Sequence, residues 1–289
     1  MATSALVCEV RGIGFWAEGC ESWPALRAVL AGKKELSSDA TQAAATRMPV
    51  RPAASLLPAA ERRRIPAGVA VALEVAREAT AAAGVDAATL PSVFASAHGD
   101  LAIVDYLCKT LAEDANALSP TKFHHSVHNA AAGYWTIATG CTAPATALSA
   151  GDESVAAGLF EAVKQVASDA CPVLLVVYDT AATGPLAEVA PNTQLLGAAF
   201  VLMPPAAYPG ADDRALARLT LSLRSGKPAS PRAIRHGAAL VHSSPSAQVL
   251  PLLAALAGDD TRKAQIDYAL GPDCVLAIGV ELVRDKSSA

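Results

Sequence analysis

Residues 173–178 read Val-Leu-Leu-Val-Val-Tyr, six apolar side chains in a row with no polar alternate. A strand with one face in water alternates apolar and polar residues, so an unbroken run is stable only where both faces of a sheet are covered. Residues 198–203 repeat the pattern. Around these runs, short β-rich segments at 5–10, 92–96 and 145–149 alternate with Ala-rich helical ones at 23–31, 69–83, 103–112 and 154–167. The expected fold class is α/β, with helices layered on a sheet.

Composition narrows the possible activities. Apolar residues make up 52% of the chain and charged ones 17%, which suits a large core and excludes disorder for most of its length. The stretch 69–83 is broken by Glu74, Arg77 and Glu78, so it falls short of the roughly 18 uncharged residues of a membrane span. Residues 1–10 lack the basic start and continuous apolar stretch of a signal peptide, and a cytoplasmic location is expected. A formal charge of -4 gives no footing for nucleic acid. Cys8, Cys20, Cys108, Cys141, Cys171 and Cys274 are scattered without a CxxC pair, so they read as thiols, and neither a metal nor a cofactor is expected.

The Pro204-Pro205 break is the best candidate boundary, dividing the chain into residues 1–205 and 206–289. Beyond it lie a Leu-alternating strand at 216–223, a polar loop up to Ser246, a helix at 248–257 and a last strand at 275–283. No repeat is visible at the level of residues.

Several motifs compete for a functional role. Gly12-Ile13-Gly14-Phe15-Trp16-Ala17 has the GxGxxA form of a dinucleotide fingerprint, but Glu18-Gly19-Cys20 follows where a helix should open. His124 and His128 are four apart, which on a helix would start a metal site, yet no third ligand follows by spacing. Arg62-Arg63-Arg64 is the one compact basic run, a solvated surface or a docking patch for an acidic partner. Ser154 has no GxSxG elbow around it.

Taken in order, several stretches resemble the β-ketoacyl synthases, condensing enzymes of the thiolase-like fold. Val10-Arg11-Gly12-Ile13-Gly14 is similar to the family's first strand and Gly-x-Gly turn, and Ser22-Trp23-Pro24-Ala25-Leu26 to Ala31-Gly32 to its Trp-x-x-Leu…Gly helix. Leu118-Ser119-Pro120-Thr121 with Ser126-Val127-His128-Asn129-Ala130-Ala131-Ala132-Gly133 resembles the Pro…Asn-x-x-x-Gly stretch of the synthase dimer interface. Leu196-Gly197-Ala198-Ala199 looks like the strand closing the first half. The resemblance spans residues 5–205 and is to the chain-length-factor-like branch associated with aryl polyene gene clusters. It implies a thiolase-like fold whose first half is complete and whose second half is shortened.

The match breaks at the chemistry. Active synthases carry a cysteine on a tight strand-to-helix turn, where the helix N-terminus favours the thiolate. In Ser149-Ala150-Gly151-Asp152-Glu153-Ser154 the resemblance puts Asp152 at that position, and a carboxylate is no reversible thioester carrier; its simplest expected role is a helix N-cap. The family's two catalytic histidines belong to its second half, and the surroundings of His236 and His242 match neither motif. Cys141, eleven residues earlier, falls before the strand and reads as an inert thiol.

The resemblance thus implies no catalytic residue of its own but a heterodimer with a full-length, cysteine-bearing ketosynthase. Phe123, His128, Asn129, Gly133, Tyr134 and Trp135 would form the partner interface and acyl tunnel, with Tyr134 and Trp135 either stopping the chain or filling core volume. Arg62, Arg63 and Arg64 would dock a transient acyl carrier protein. One half of a duplicated fold is also expected to expose an apolar surface to its partner. The rival readings are a stand-alone acyltransferase using Cys141, a thioesterase using Ser154, and a structural homodimer.

Overall fold

The computed structural model describes residues 5–35, 51–190, 192–205, 214–230, 234, 236–237, 240, 244–258 and 263–283. Its elements, in chain order, are β1 (Leu6–Ala17), α1 (Trp23–Leu30), α2 (Ala59–Arg62), α3 (Ala67–Ala83), β2 (Ser92–Ala95), α4 (Leu101–Glu113), α5 (Pro120–His124), α6 (Ala130–Thr139), β3 (Ala145–Leu148), α7 (Ser154–Asp169), β4 (Val173–Asp179), α8 (Leu186–Val189), β5 (Leu196–Met203), β6 (Ala217–Ser225), α9 (Leu250–Ala257), β7 (Lys263–Ala269) and β8 (Cys274–Leu282). All eight strands form one sheet in the order β3-β2-β4-β5-β1-β6-β8-β7.

The two apolar runs become β4 and β5, adjacent in the sheet and buried at every residue. Two clusters explain why. On one face α1, α7 and α9 pack over Phe15, Leu175, Phe200 and Ile278; on the other α3 and α6 pack over Phe94, Leu174 and Val201. Burying the whole of one such Leu or Phe contributes about 1.5–3 kcal/mol, so β4 and β5 anchor both layers.

Gly12 and Gly14 make no turn. They lie inside β1, where a Cβ on Gly12 would sit 2.1 Å from the Ala79 carbonyl oxygen and one on Gly14 2.0 Å from that of Val75. The glycines let α3 lie with its backbone directly on the strand. Since β1 continues to Ala17 without opening a helix, the dinucleotide fingerprint has no structural counterpart.

Two elements of the later part of the chain were not expected: the short helix α8 between β4 and β5, and the strand β7. β7 and β8 continue the same sheet beyond β6, which pairs antiparallel with residues Leu6 to Val10 of β1. The order β4-β5-β1 is then mirrored by β7-β8-β6 about the β1/β6 junction, each strand antiparallel to its neighbour. A helix on the same face precedes the outermost strand of each trio: α7 before β4, and α9, with the 3-10 turn Pro245–Val249, before β7. The repeat absent from the residues is therefore present in the topology. Among the described residues, the second trio has no counterpart of β2, β3, α3 or α6.

Among the described residues, no helix covers over β6, β8 and β7 the face that α3 covers over β1, and that face is not apolar. Arg218, Thr220, Arg224, Lys263, Gln265 and Glu281 stand exposed on it, with ion pairs Glu9–Arg218 (3.1 Å), Lys263–Glu281 (3.1 Å) and Arg224–Asp267. The expected apolar scar of a missing half is replaced by a charged surface that water wets. Among the described residues, no helix is long and apolar enough to cross a membrane.

Candidate functional site

β2 runs parallel to both β3 and β4, so these strands end together at Ala95, Leu148 and Asp179. Ligand sites of α/β sheets form at such carboxyl ends. Asp179 is 1% exposed and its carboxylate is fully used. Oδ1 accepts from Ser96 Oγ and the Ala97 amide, both at 3.0 Å, and Oδ2 from the Ser246 amide at 2.9 Å and Ser246 Oγ at 2.6 Å. Burial nevertheless holds its acidity weaker than usual, the four donors opposing that shift. Asp179 thereby clasps the second-half turn carrying Ser246 onto the first half.

Asp100 works at the same end. It caps α4 through Ile103 N at 3.2 Å and accepts from the Gly68 amide in the first turn of α3, so one carboxylate meets the N-termini of two helices. Burial again raises its pKa. Sequence reasoning missed Asp100, Asp179, Ser96 and Ser246; the visible signal was a polar residue just after each apolar strand, in Ala95-Ser96 and Tyr178-Asp179.

The strand-to-helix turn after β3 is a 3-10 turn, Gly151–Glu153, entered through Gly151 at φ 56°. Asp152 is exposed there and is not the N-cap: that position of α7 is Glu153, without a side-chain bond. The turn is tied by Ser154 instead, whose Oγ accepts from the Ala150 amide at 2.9 Å and donates to the Gly151 carbonyl at 2.7 Å. Asp152 leaves the cap because the tight turn already binds its own backbone through Ser154. A 3% exposed hydroxyl with its proton committed to a carbonyl is a poor nucleophile.

Cys141 lies at the opposite end of these strands, where its Sγ is 3.5 Å from the Leu90 carbonyl oxygen, Leu90 standing just ahead of β2. It is 7% exposed. His236 lies against Gly32, just after α1, and His242 falls outside the described residues. His124 contacts the ring of His125 while His128 turns to β3, and the described residues hold no group of three or more His, Cys, Asp or Glu side chains suited to a metal.

The expected interface residues cluster around the free edge of the sheet. β3 pairs only with β2 among the described strands, and α6 lies beside it. Asn129 and Ile137 are exposed on α6 and its N-cap, and nothing lies within 4 Å of where a Gly133 Cβ would be. Phe123 and Val127 add apolar surface just before the helix, being 62% and 49% exposed. Tyr134 is half-buried, with its hydroxyl 2.8 Å from His125 Nε2. Of the two readings of Trp135, the structure favours core filling over the partner interface: at 0% exposure it is enclosed by its own chain in the α3/α6 layer. Arg62 is half-buried and Arg63 and Arg64 are exposed, and none forms an ion pair with a described residue.

A mixed sheet with helical layers on both faces of strands β3, β2, β4, β5 and β1, and a strand-to-helix turn at the carboxyl end of β3, agrees with the thiolase-like fold of the condensing enzymes. Within that class, residues 36–265 match the model for the β-ketoacyl synthase N-terminal domain, and the chain belongs to this family. The match runs past Pro204-Pro205. No curated protein matches the chain. Solved structures agree in fold. The ketosynthase ApeO in complex with its chain length factor ApeC from Xenorhabdus doucetiae has a TM-score of 0.67 at 20% identity, covering 94% of this chain and 99% of that one. The AntDE:AntF complex, a type II acyl-carrier protein with its ketosynthase bound to the hexaketide, gives 0.71 at 12% identity, covering 98% and 100%. The ishigamide ketosynthase/chain length factor gives 0.69 at 15% identity, covering 96% and 100%.

Proposed function

We propose that this chain is a chain-length-factor-like subunit that pairs with a full-length, cysteine-bearing ketosynthase and shapes its acyl tunnel, in polyketide or fatty-acid-like biosynthesis of the aryl polyene kind. The observation that carries the reading is the contrast between the two sheet edges. β7 carries the exposed Lys263, the kind of charge by which sheet edges refuse further strands. β3, Ala-Thr-Ala-Leu, has no charge and lies beside Gly133 and Ile137 on α6. An uncharged edge next to exposed apolar residues is a template on which another chain can pair and pack.

The turn supports a role without covalent catalysis. It presents Gly151 and Asp152, no thiol, and a Ser154 occupied by its own backbone. The similar solved folds include complexes of a ketosynthase with a chain length factor, which agrees with this assignment. Arg62, Arg63 and Arg64 serve as the transient docking patch for an acidic acyl carrier protein, and the complex works in the cytoplasm. The topological repeat supports dividing the chain at residue 205 into a five-strand unit, 1–205, and a three-strand unit, 206–289.

The test is co-expression with the ketosynthase encoded nearest to this chain, followed by size-exclusion chromatography with mass detection and condensation assays with and without it. A one-to-one complex whose activity needs both chains is the expected result. A covalent acyl adduct on this chain alone after incubation with an acyl carrier protein thioester would overturn the reading in favour of a stand-alone transferase.

A further inference from the structure

We infer that His128 is a positioning residue that fixes the two parts of the docking face, α6 and the β3 edge, relative to each other. His128 directly precedes Asn129, the N-cap of α6, yet its ring turns inward. Nε2 is 2.9 Å from the carbonyl oxygen of Leu148, the last residue of β3. That carbonyl already accepts from the Ser96 amide at 3.2 Å, so the imidazole N–H takes its remaining acceptor capacity. The bond joins the start of α6 to the end of the edge strand β3, twenty residues later.

The surroundings are shaped for the ring. Gly99 has φ 68°, and a Cβ there would lie 3.5 Å from Nδ1. Ser149 Oγ, one residue beyond β3, donates to the Ala97 carbonyl at 2.7 Å. The loop after β2, the end of β3 and the start of α6 are thus held by two side chains, of which only His128 reaches the helix. β2 holds β3 along one side through all four of its residues, and the His128 bond adds a tie from that strand to the helix carrying Gly133 and Ile137.

The inference rests on the reading of this face as the ketosynthase contact, and the test separates the two. The complex of the full chain with the co-expressed ketosynthase is compared for wild type, His128→Ala and His128→Gln, measuring dissociation constant, thermal stability and amide exchange of residues 130–139 and 145–148. The expected result is binding weakened about fivefold or more in His128→Ala, as for loss of one hydrogen bond. Exchange should rise in both segments, and His128→Gln, whose amide N–H can reach the same carbonyl, should restore both properties. Equal affinity and exchange in wild type and His128→Ala would overturn the inference. So would equal losses in His128→Ala and His128→Gln that track melting temperature, since they mark a general fold defect. Failure of the wild type to bind the ketosynthase would instead defeat the functional reading.

Discussion

Replacing Asp179 by Ala tests whether one buried carboxylate holds the second-half turn on the first. The substitution leaves the Ala97 and Ser246 amides without their acceptor, while the Ser96 and Ser246 hydroxyls are free to rotate toward other partners. Two orphaned buried amides cost about 2–6 kcal/mol, and removing a desolvated carboxylate returns part of that, leaving a net loss of about 2–4 kcal/mol. At about 2–4 °C per kcal/mol for a domain of this size class, the melting temperature should fall by about 5–15 °C. Ser246→Ala, which keeps its amide bond and loses only the hydroxyl, should cost about 1 kcal/mol. The pH dependence has a definite sign. Burial raises the folded pKa of Asp179 above its unfolded value, so its contribution is fully present below about pH 4 and is lost as pH rises through the folded value. The deficit of Asp179→Ala should therefore be largest on the acid side. Chemical denaturation of wild type and both variants at several pH values reads this directly. A deficit no larger than that of Ser246→Ala, or one that grows with pH, would refute the clasp.

Gly14→Ala should destabilise by at least about 2 kcal/mol in the same assay, because its Cβ meets the α3 backbone and not a side chain that can move. Ser154→Ala should cost about 1–2 kcal/mol of stability and leave any acyl-thioester turnover of the complex unchanged, as measured by carrier-protein mass spectrometry. Ala145→Lys at the exposed start of the β3 edge should abolish ketosynthase binding in size-exclusion chromatography while changing the stability of the free chain by less than about 0.5 kcal/mol. Glu78→Ala removes the acceptor of the Phe15 and Trp23 amides, 2.9 and 2.8 Å away, and should lower stability by about 2 kcal/mol or more.

Much of the first half was legible because its signals are local. The apolar runs of β4 and β5 and the alanine-rich α3 and α7 announce themselves over windows of six to seventeen residues. The role of Gly12 and Gly14 was not legible, since the carbonyls they accommodate belong to Val75 and Ala79. β7 was missed although Lys263, Gln265 and Asp267 alternate with Ala264, Ile266 and Tyr268. An edge strand of mixed polarity carries a weaker pattern than a buried one. At the site, Asp152 looked like a cap because Asp favours that place, but the decision fell to Ser154, two residues on, through bonds that only the folded turn reveals. The clasp on Ser246 joins residues 67 apart, beyond the reach of any spacing rule.

The pairing of β1 with β6 sets the pace of assembly. Glu9 and Arg218 lie 209 positions apart, and β1 finds its other neighbour, β5, nearly as far along the chain. During synthesis at about 5–20 residues per second, β1 therefore waits about 10–40 s for both of its neighbours in the sheet. Folding dominated by such remote contacts is slow and exposed to aggregation. Yield should thus respond to translation speed and chaperone supply more than to changes in the strength of the finished core.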